Sequence, residues 1–198
     1  MWDERFSQPG YLFGTEPAAF LVAHADYLKP GLRALALADG EGRNSVFMAE
    51  RGVRVMAMDA SAVAVEKAIW LARERDVRVD WRIGDIDDWP WAADQYDLVV
   101  GIFIQFMAPE LRARAFAGMV QALAPGGHLL LHGYTPEQLA YGTGGPPRAE
   151  LLYTEEMLRE AFADLEIVEL RQHTRVIREG TGHSGMSALI DLVARKPL

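Results

Sequence analysis

Cysteine is absent from the 198 residues. Disulfides, thiolate metal sites and cysteine nucleophiles are therefore excluded, while the redox compartment stays open. Positive charge is scarce: the formal net charge is -8. That argues against nucleic acid as a partner, because phosphate binding calls for a basic face. No apolar run reaches the length of a membrane span, and the opening MWDERFSQPG has no basic-then-apolar leader pattern. No membrane association is expected, and the cytoplasm is the expected compartment. Internal repeats and low-complexity stretches are lacking, and nothing in the sequence sets an oligomeric state. No set of histidines has metal-ligand spacing, so a metal is not expected. A P-loop lysine is missing. So is the third glycine of a nicotinamide-binding fingerprint, since Gly40-x-Gly42 is followed by Ser45.

What is present reads as an ordinary globular chain, half hydrophobic and 24% charged, long enough to bury a full core. Five short apolar runs recur: Arg33–Ala38, Val53–Met58, Val77–Arg82, Tyr96–Phe103 and His128–His132. Helical spacing fills the gaps at Asn44–Arg51, at Ser61–Arg75 with Ser61 suited to the N-cap, and from Pro109 to Leu123. Strands alternating with helices imply βαβ units and a mostly parallel sheet. Thr154 can cap a helix running to about Phe162. Two strand-like runs follow, Leu165–Arg175 and Ser187–Arg195, on either side of the glycine-rich loop REGTGHSG. No helix fits between them, so they are expected to pair antiparallel. YGTGGPPRAELLY is the one long segment that reads as pure loop, and long loops in compact domains tend to be functional.

In an open parallel sheet, ligands bind beyond the carboxyl ends of the strands, so those residues carry the functional reading. The first run ends in Asp39-Gly40-Glu41-Gly42-Arg43-Asn44. Its glycines allow a tight bend and a close approach to a ligand, although a plain tight turn has the same appearance. Ala38 stands where such loops carry a glycine, and is expected to keep an extended backbone. The second run leads to Asp59, spaced to accept two hydrogen bonds from a ribose diol, or else to cap the next helix. The third leads to Gly84-Asp85-Ile86, where Asp85 could accept from an exocyclic amine beside an apolar wall at Ile86. Gly101, Ile102 and Phe103 end the fourth and would lie beneath the ligand, with Phe103 and Phe106 equally readable as core aromatics.

These stations, together with Tyr96-Asp97-Leu98-Val99-Val100 and Leu123-Ala124-Pro125-Gly126-Gly127, follow one another as in class I S-adenosylmethionine-dependent methyltransferases, and the whole chain resembles that family. WDERF…YLFGTEPAAFL, GEGRN, PEQLAYGTGGP and EGTGHSG are similar to its bacterial tellurite-resistance and thiopurine-methyltransferase-like subgroup. The resemblance implies a Rossmann-like three-layer αβα sandwich with a seven-stranded, mostly parallel sheet and a C-terminal antiparallel hairpin. It implies one domain over residues 1–198: a lid and helix (1–30), a cofactor-binding core (31–135), and substrate-side loops with the hairpin (136–198). S-adenosyl-L-methionine is the implied cofactor. Gly40, Glu41 and Gly42 would wrap its methionine half, with Arg43 near its carboxylate. Asp59 would hold the ribose, Ala60 and Ile86 would flank the adenine, and Asp85 would accept from the adenine amine. Trp2, Arg5, Tyr11, Phe13 and Gly14 would belong to a lid. An acid that the family often places near the cofactor's amino group is missing at Ala36; Glu41, Asp39 or backbone carbonyls are the replacements.

The expected activity is methyl transfer to a small-molecule acceptor, such as a chalcogen oxyanion, a thiol or a related soft nucleophile. Such nucleophiles need little help from a base. His183 is the candidate for a catalytic or positioning role, against a surface-loop reading of equal weight. Tyr141, Thr143, Arg148, Arg175 and Arg178 are candidates for an acceptor pocket, the arginines suiting an anion. The alternatives are an NAD(P)-binding oxidoreductase and a non-catalytic cofactor-binding protein of the same fold.

Overall fold

A computed structural model describes residues 2–198. Its sheet has seven strands: β1 (Arg33–Leu37), β2 (Arg54–Asp59), β3 (Asp80–Ile83), β4 (Tyr96–Ile102), β5 (Leu123–Tyr134), β6 (Glu166–Glu179) and β7 (His183–Arg195). They lie in the order β3-β2-β1-β4-β5-β7-β6. The first five pair in parallel, and β7 joins β5 and β6 antiparallel. This is the Rossmann-like arrangement that the family resemblance implies. No helix among the described residues is long and apolar enough to cross a membrane.

The apolar runs explain the layers. Alternate residues of a strand face opposite ways, so a strand covered on both sides must be apolar throughout. On β1, Leu35 and Leu37 face one side, where β4 and β5 add Val99, Leu129 and Leu131. Helices α5 (Pro109–Ala122) and α6 (Glu155–Ala161) close that side, with Phe116 and Met119 from α5 and Leu158 from α6. Ala34 and Ala36 face the other side with Leu98, Val100 and Leu130. There Phe20 and Leu21 of α2 (Ala19–Ala23) and Met48 of α3 (Arg43–Glu50) cover the sheet. Helix α4 (Ala62–Glu74) packs beside α3 through Val46, Leu71 and Ala72. Ser61 caps α4, its Oγ accepting from the Ala64 N–H at 3.1 Å.

Three boundaries differ from the sequence pattern. β3 starts at Asp80, because Val77 is held back against the end of α4, its N–H donating to the Ala72 carbonyl at 3.0 Å. β5 starts at Leu123 and runs straight through Pro-Gly-Gly, with a register shift against β4 between Tyr96 and Leu98. Most of REGTGHSG is strand: Glu179 pairs with His183, leaving only Gly180–Gly182 as the turn. That turn is tied down from outside, since the Thr181 and Gly182 N–H groups donate to the Leu12 carbonyl at 2.9 and 3.2 Å.

Gly42 joins the first loop to the helices. It has φ +89°, and an added Cβ would lie 2.7 Å from Ala68 Cβ and 2.9 Å from Ala68 Cα on α4. Gly31 has a similar φ of +85° but open space around it. Gly42→Ala should therefore destabilise by about 2–4 kcal/mol, against about 1 kcal/mol for Gly31→Ala, where strain acts alone. Urea unfolding of the two variants checks this; equal losses would remove the clash as the cause.

Candidate functional site

β2 and β4 lie on opposite sides of β1, so the connections leaving β1 and β4 diverge and open a crevice above the strand ends. A cavity of about 510 Å³ occupies it. The chain crosses its mouth with strained backbone at two non-glycine residues, Ala38 (φ +45°) and Phe103 (φ +55°). Ala38 is a correction to the extended conformation expected there. Its N–H points to Met58 Sδ at 3.3 Å, and the Asp39 N–H donates to the Met58 carbonyl at 3.1 Å, which turns the chain sharply off β1.

Asp59 holds that turn. Its Oδ2 accepts from the Gly40 N–H at 2.8 Å and its Oδ1 from the Ser61 N–H at 2.9 Å. Each oxygen keeps a further lone pair. Burial raises the carboxyl above its usual range, and these backbone donors offset part of the rise. Gly40, Ala60, Asp85 and Ile86 line the cavity on the same side, Ile86 buried and Asp85 exposed.

Arg43 lines the cavity too. Only 7% exposed, it donates from Nη2 to Glu179 Oε2 at 2.8 Å, while its Nη1 is buried without a partner among the described residues. A buried guanidinium nitrogen left unmatched is costly, and an anionic ligand group would satisfy it. Asp39 also lines the cavity, accepting from Ser45 Oγ at 2.5 Å and the Ser45 N–H at 3.3 Å. Desolvation pushes its carboxyl up to about 7.

A chain of aromatic rings bounds the rest. Phe106 meets Trp2 at 6.2 Å, Trp2 stacks on Phe6 at 5.7 Å, and Phe6 meets Phe13 at 6.3 Å. His183 then lies stacked between Phe13 at 4.5 Å and Phe103 at 4.3 Å. It is 7% exposed and starts β7, which excludes a surface-loop histidine. Its Nδ1 is 2.5 Å from the Tyr134 hydroxyl, which burial keeps protonated. Burial and the nearby Arg43 charge push the imidazole down to about 3. At neutral pH it is an uncharged ring that can position a ligand but takes up protons poorly.

The other candidates lie away from the cavity. Glu41 turns away from the cavity: Oε2 accepts from the Leu12 N–H at 2.7 Å and Oε1 from Lys67 Nζ at 2.9 Å. Lys67 also donates to the Gln8 and Gly10 carbonyls, and Tyr11 Oη donates to the Lys67 carbonyl at 3.2 Å. Glu41 and Tyr11 thus fasten the N-terminal segment, and Gly14 sits against Gly180. Gly42 and Gly101 serve packing; a Cβ at Gly101 would lie 2.8 Å from Ile104 Cδ1. Tyr141 is exposed, Arg148 pairs with Glu150 at the surface, and Arg178 is exposed. Thr143 Oγ1 donates to the Met186 carbonyl at 2.5 Å. None of these four, nor Arg175, lines the cavity. Conversely, Gln105 and Tyr134 line the cavity and Glu179 holds the cavity-lining Arg43, though the sequence pattern did not single them out. Gln105 is 4% exposed and grips the Tyr134 backbone from both amide atoms, at 2.6 and 2.8 Å.

Residues 34–127 match the family described as a methyltransferase domain. A demethylmenaquinone methyltransferase from Renibacterium salmoninarum is 30% identical over 139 residues, 70% of this chain and 54% of that protein. An uncharacterised protein from Mycobacterium tuberculosis is 25% identical over 61% of this chain and 44% of its own length. The chain thus spans about half the length of these curated relatives. Among solved structures, the N-methyltransferase NodS of Bradyrhizobium japonicum, in complex with S-adenosyl-L-homocysteine, superposes with a TM-score of 0.74 at 17% identity, covering 100% of this chain and 97% of that one. TehB from Haemophilus influenzae gives 0.73 at 20% identity over 90% and 62%.

The Asp39 carboxyl makes the ligand-free fold pH-sensitive. With a folded pKa near 7 against 3.8 for the ordinary group, the folded state holds the proton more tightly, so this contribution to stability falls as pH rises from about 4 to 7. His183, depressed in the fold, works in the opposite sense below its ordinary pKa. The parent-minus-variant difference therefore isolates Asp39. Asp39→Asn should gain on the parent by on the order of 2–4 kcal/mol between pH 4 and pH 8. Denaturant unfolding at both pH values measures it, and a pH-independent difference would contradict the assignment.

Proposed function

We propose that the chain is a class I S-adenosylmethionine-dependent methyltransferase and that it methylates a small-molecule acceptor in the cavity above β1 and β4. The observation that carries this reading is that one cavity is lined both by a diol-type acceptor, Asp59, and by Arg43, a buried guanidinium with one nitrogen unmatched among the described residues. When bound, S-adenosyl-L-methionine supplies a methyl group already activated by its sulfonium. The chain's own task is then to hold, align and keep dry. Asp59 takes the ribose hydroxyls on its two free lone pairs, Ala60 and Ile86 flank the adenine, and Asp85 accepts from the adenine amine. Arg43 meets the carboxylate. The region from 136 to 198 supplies the acceptor side through Tyr134's partner His183 and the loop carrying Pro146 and Pro147.

The acceptor we propose is a soft nucleophile, with a thiol favoured over a chalcogen oxyanion. His183 is held too low to act as a base at neutral pH, so the nucleophile must arrive with a free lone pair. The ring-lined wall gives an oxyanion few donors, Arg5 being taken up over the Trp2 ring at 4.7 Å. Ser45 stands where a nicotinamide fingerprint wants its third glycine and spends its hydroxyl on Asp39, which disfavours the oxidoreductase alternative.

Calorimetry should show S-adenosylhomocysteine binding to the parent and at least about tenfold weaker binding to Asp59→Ala, the scale of losing hydrogen bonds to a charged group. No binding to the parent would overturn the reading. In turnover with a thiol panel set against tellurite and selenite, the rate should follow the acceptor's own ionisation between pH 5 and 9. A rate limb that disappears in His183→Asn would instead make His183 the base.

A further inference from the structure

The two edges of the sheet differ. β3 closes one with four residues, Asp80–Ile83. β6 closes the other with fourteen, Glu166–Glu179, and pairs only with β7 among the described residues. An open edge offers a row of free N–H and C=O groups to another strand, and proteins usually blunt it with short strands, proline, bulges or charge. β6 has no proline, and its one register shift, at Val168 between Ile167 and Glu169, leaves Glu169–Glu179 regular. Its middle is exposed at Arg171, Gln172, Thr174, Arg175 and Val176. Its charges are ordered so that they attract a copy of themselves. We propose that β6 is the docking surface for a second copy of this chain, pairing antiparallel about Gln172 so that two sheets become one.

The order of charges carries the proposal. In a sheet continued across a two-fold axis, residues directly opposite one another share a face, so the axis must pass through a residue. With the axis at Gln172, Glu169 of each copy faces Arg175 of the other, Leu170 faces Thr174, and Arg171 faces His173. Two opposite-charge pairs then flank the axis, which stabilises an antiparallel ladder. The neighbouring registers fail. An axis at Arg171 sets the two Arg171 side chains against each other. One at His173 sets Arg171 against Arg175 twice, and one at Thr174 sets Glu169 against Glu179. One at Leu170 runs into the irregularity at Val168.

The side chains are free to make these pairs. Arg175 is exposed and has no carboxylate within 4.0 Å among the described residues. Glu169 places Oε2 3.2 Å from His24 Nε2 and Oε1 3.6 Å from Arg171 Nε, and its side chain, 36% exposed, stays open to a second cation. Arg171 and His173 both reach back to buried Asp191, at 3.1 and 2.8 Å, which offsets their facing each other across the axis. Val168 and Val176, 55% and 50% exposed, meet at each end of the ladder and give it apolar contact.

Because the chain has no cysteine, a single introduced thiol reads the register. Directly opposite residues have Cα atoms about 4.5–5.5 Å apart, within the reach of a disulfide. Under mild oxidation Gln172→Cys should cross-link into a covalent dimer, while Thr174→Cys, about 13 Å from its mate along the strand, should not. Sedimentation should show the parent in a monomer–dimer equilibrium with a dissociation constant on the order of 1–100 µM, as suits a small interface. Glu169→Arg and Arg175→Glu should each weaken dimerisation by at least about tenfold, because both pairs become like-charged. Mixed in equal amounts, the two variants should dimerise again, since each supplies the charge that the other lacks. The Gln172→Cys result stands by itself should Glu169→Arg, which also loses His24, fail to fold. A parent that stays monomeric to about 500 µM overturns the proposal. So does cross-linking at Thr174 rather than Gln172, or a mixture of folded variants that stays monomeric.

Discussion

A buried ion pair between Arg43 and Glu179 governs how the ends of this chain meet at its centre. Arg43 begins α3, directly after the first glycine loop. Glu179 closes β6, more than a hundred residues later, and its second oxygen holds the first backbone N–H of α2. A pair this deep does not stabilise a fold strongly, because the desolvation of both ions offsets most of their attraction; breaking it by removing one partner is expensive. Its effect is geometric. It fixes the β6–β7 turn over the first loop, and so brings His183 beside Phe103 and the turn within reach of Leu12.

The N-terminal segment depends on the same region. Leu12 donates its N–H to Glu41 and receives two N–H groups from the β6–β7 turn on its carbonyl. Lys67 reaches from α4 to the Gln8 and Gly10 carbonyls and to Glu41. Gly180 is needed because a Cβ there would lie 2.3 Å from the Leu12 carbonyl oxygen, and Gly182 because one would lie 2.2 Å from Phe13. The segment that brings Trp2, Phe6 and Phe13 to the cavity is therefore held by polar contacts at its far end, which leaves its rings to exclude water. A wall that keeps water from the cavity strengthens every electrostatic contact inside it.

Much of the architecture was legible because it follows from periodicity. A strand covered on both faces must be apolar at every position, and RALAL, RVMAM and YDLVV meet that condition. That Asp59 and Asp85 line the cavity was legible because strand ends in such sheets open onto the crevice. The misplacements have one physical source, contacts between segments distant in sequence. Glu41 reads as a loop carboxylate facing the cofactor until Leu12 and Lys67 claim it. His183 reads as a loop residue because glycines surround it, yet those glycines admit Leu12 and Phe13 against a continuing hairpin. The arginines expected around an acceptor lie on exposed strand and loop faces, where alternation alone could not tell which side the cavity is on. Glu179 carried no local signal at all, since its partner is defined only by the closed fold.

Several unfavourable features of the chain gather at the cavity. Ala38 and Phe103 hold backbone angles that cost an ordinary residue about 1–3 kcal/mol. Asp39 is desolvated, and Arg43 keeps a buried nitrogen without a partner. Gly101, a few residues away, shows the opposite logic, its missing side chain filled by Ile104, Leu131 and Met119. The features at the cavity share a direction. A turned backbone at Ala38 brings Asp39 to the cavity wall, and Arg43, fixed by Glu179, lines the same wall. An acid on β1 at Ala36, which sits among apolar neighbours, would bury a charge in the sheet; at Asp39 the carboxyl lies along the cavity instead.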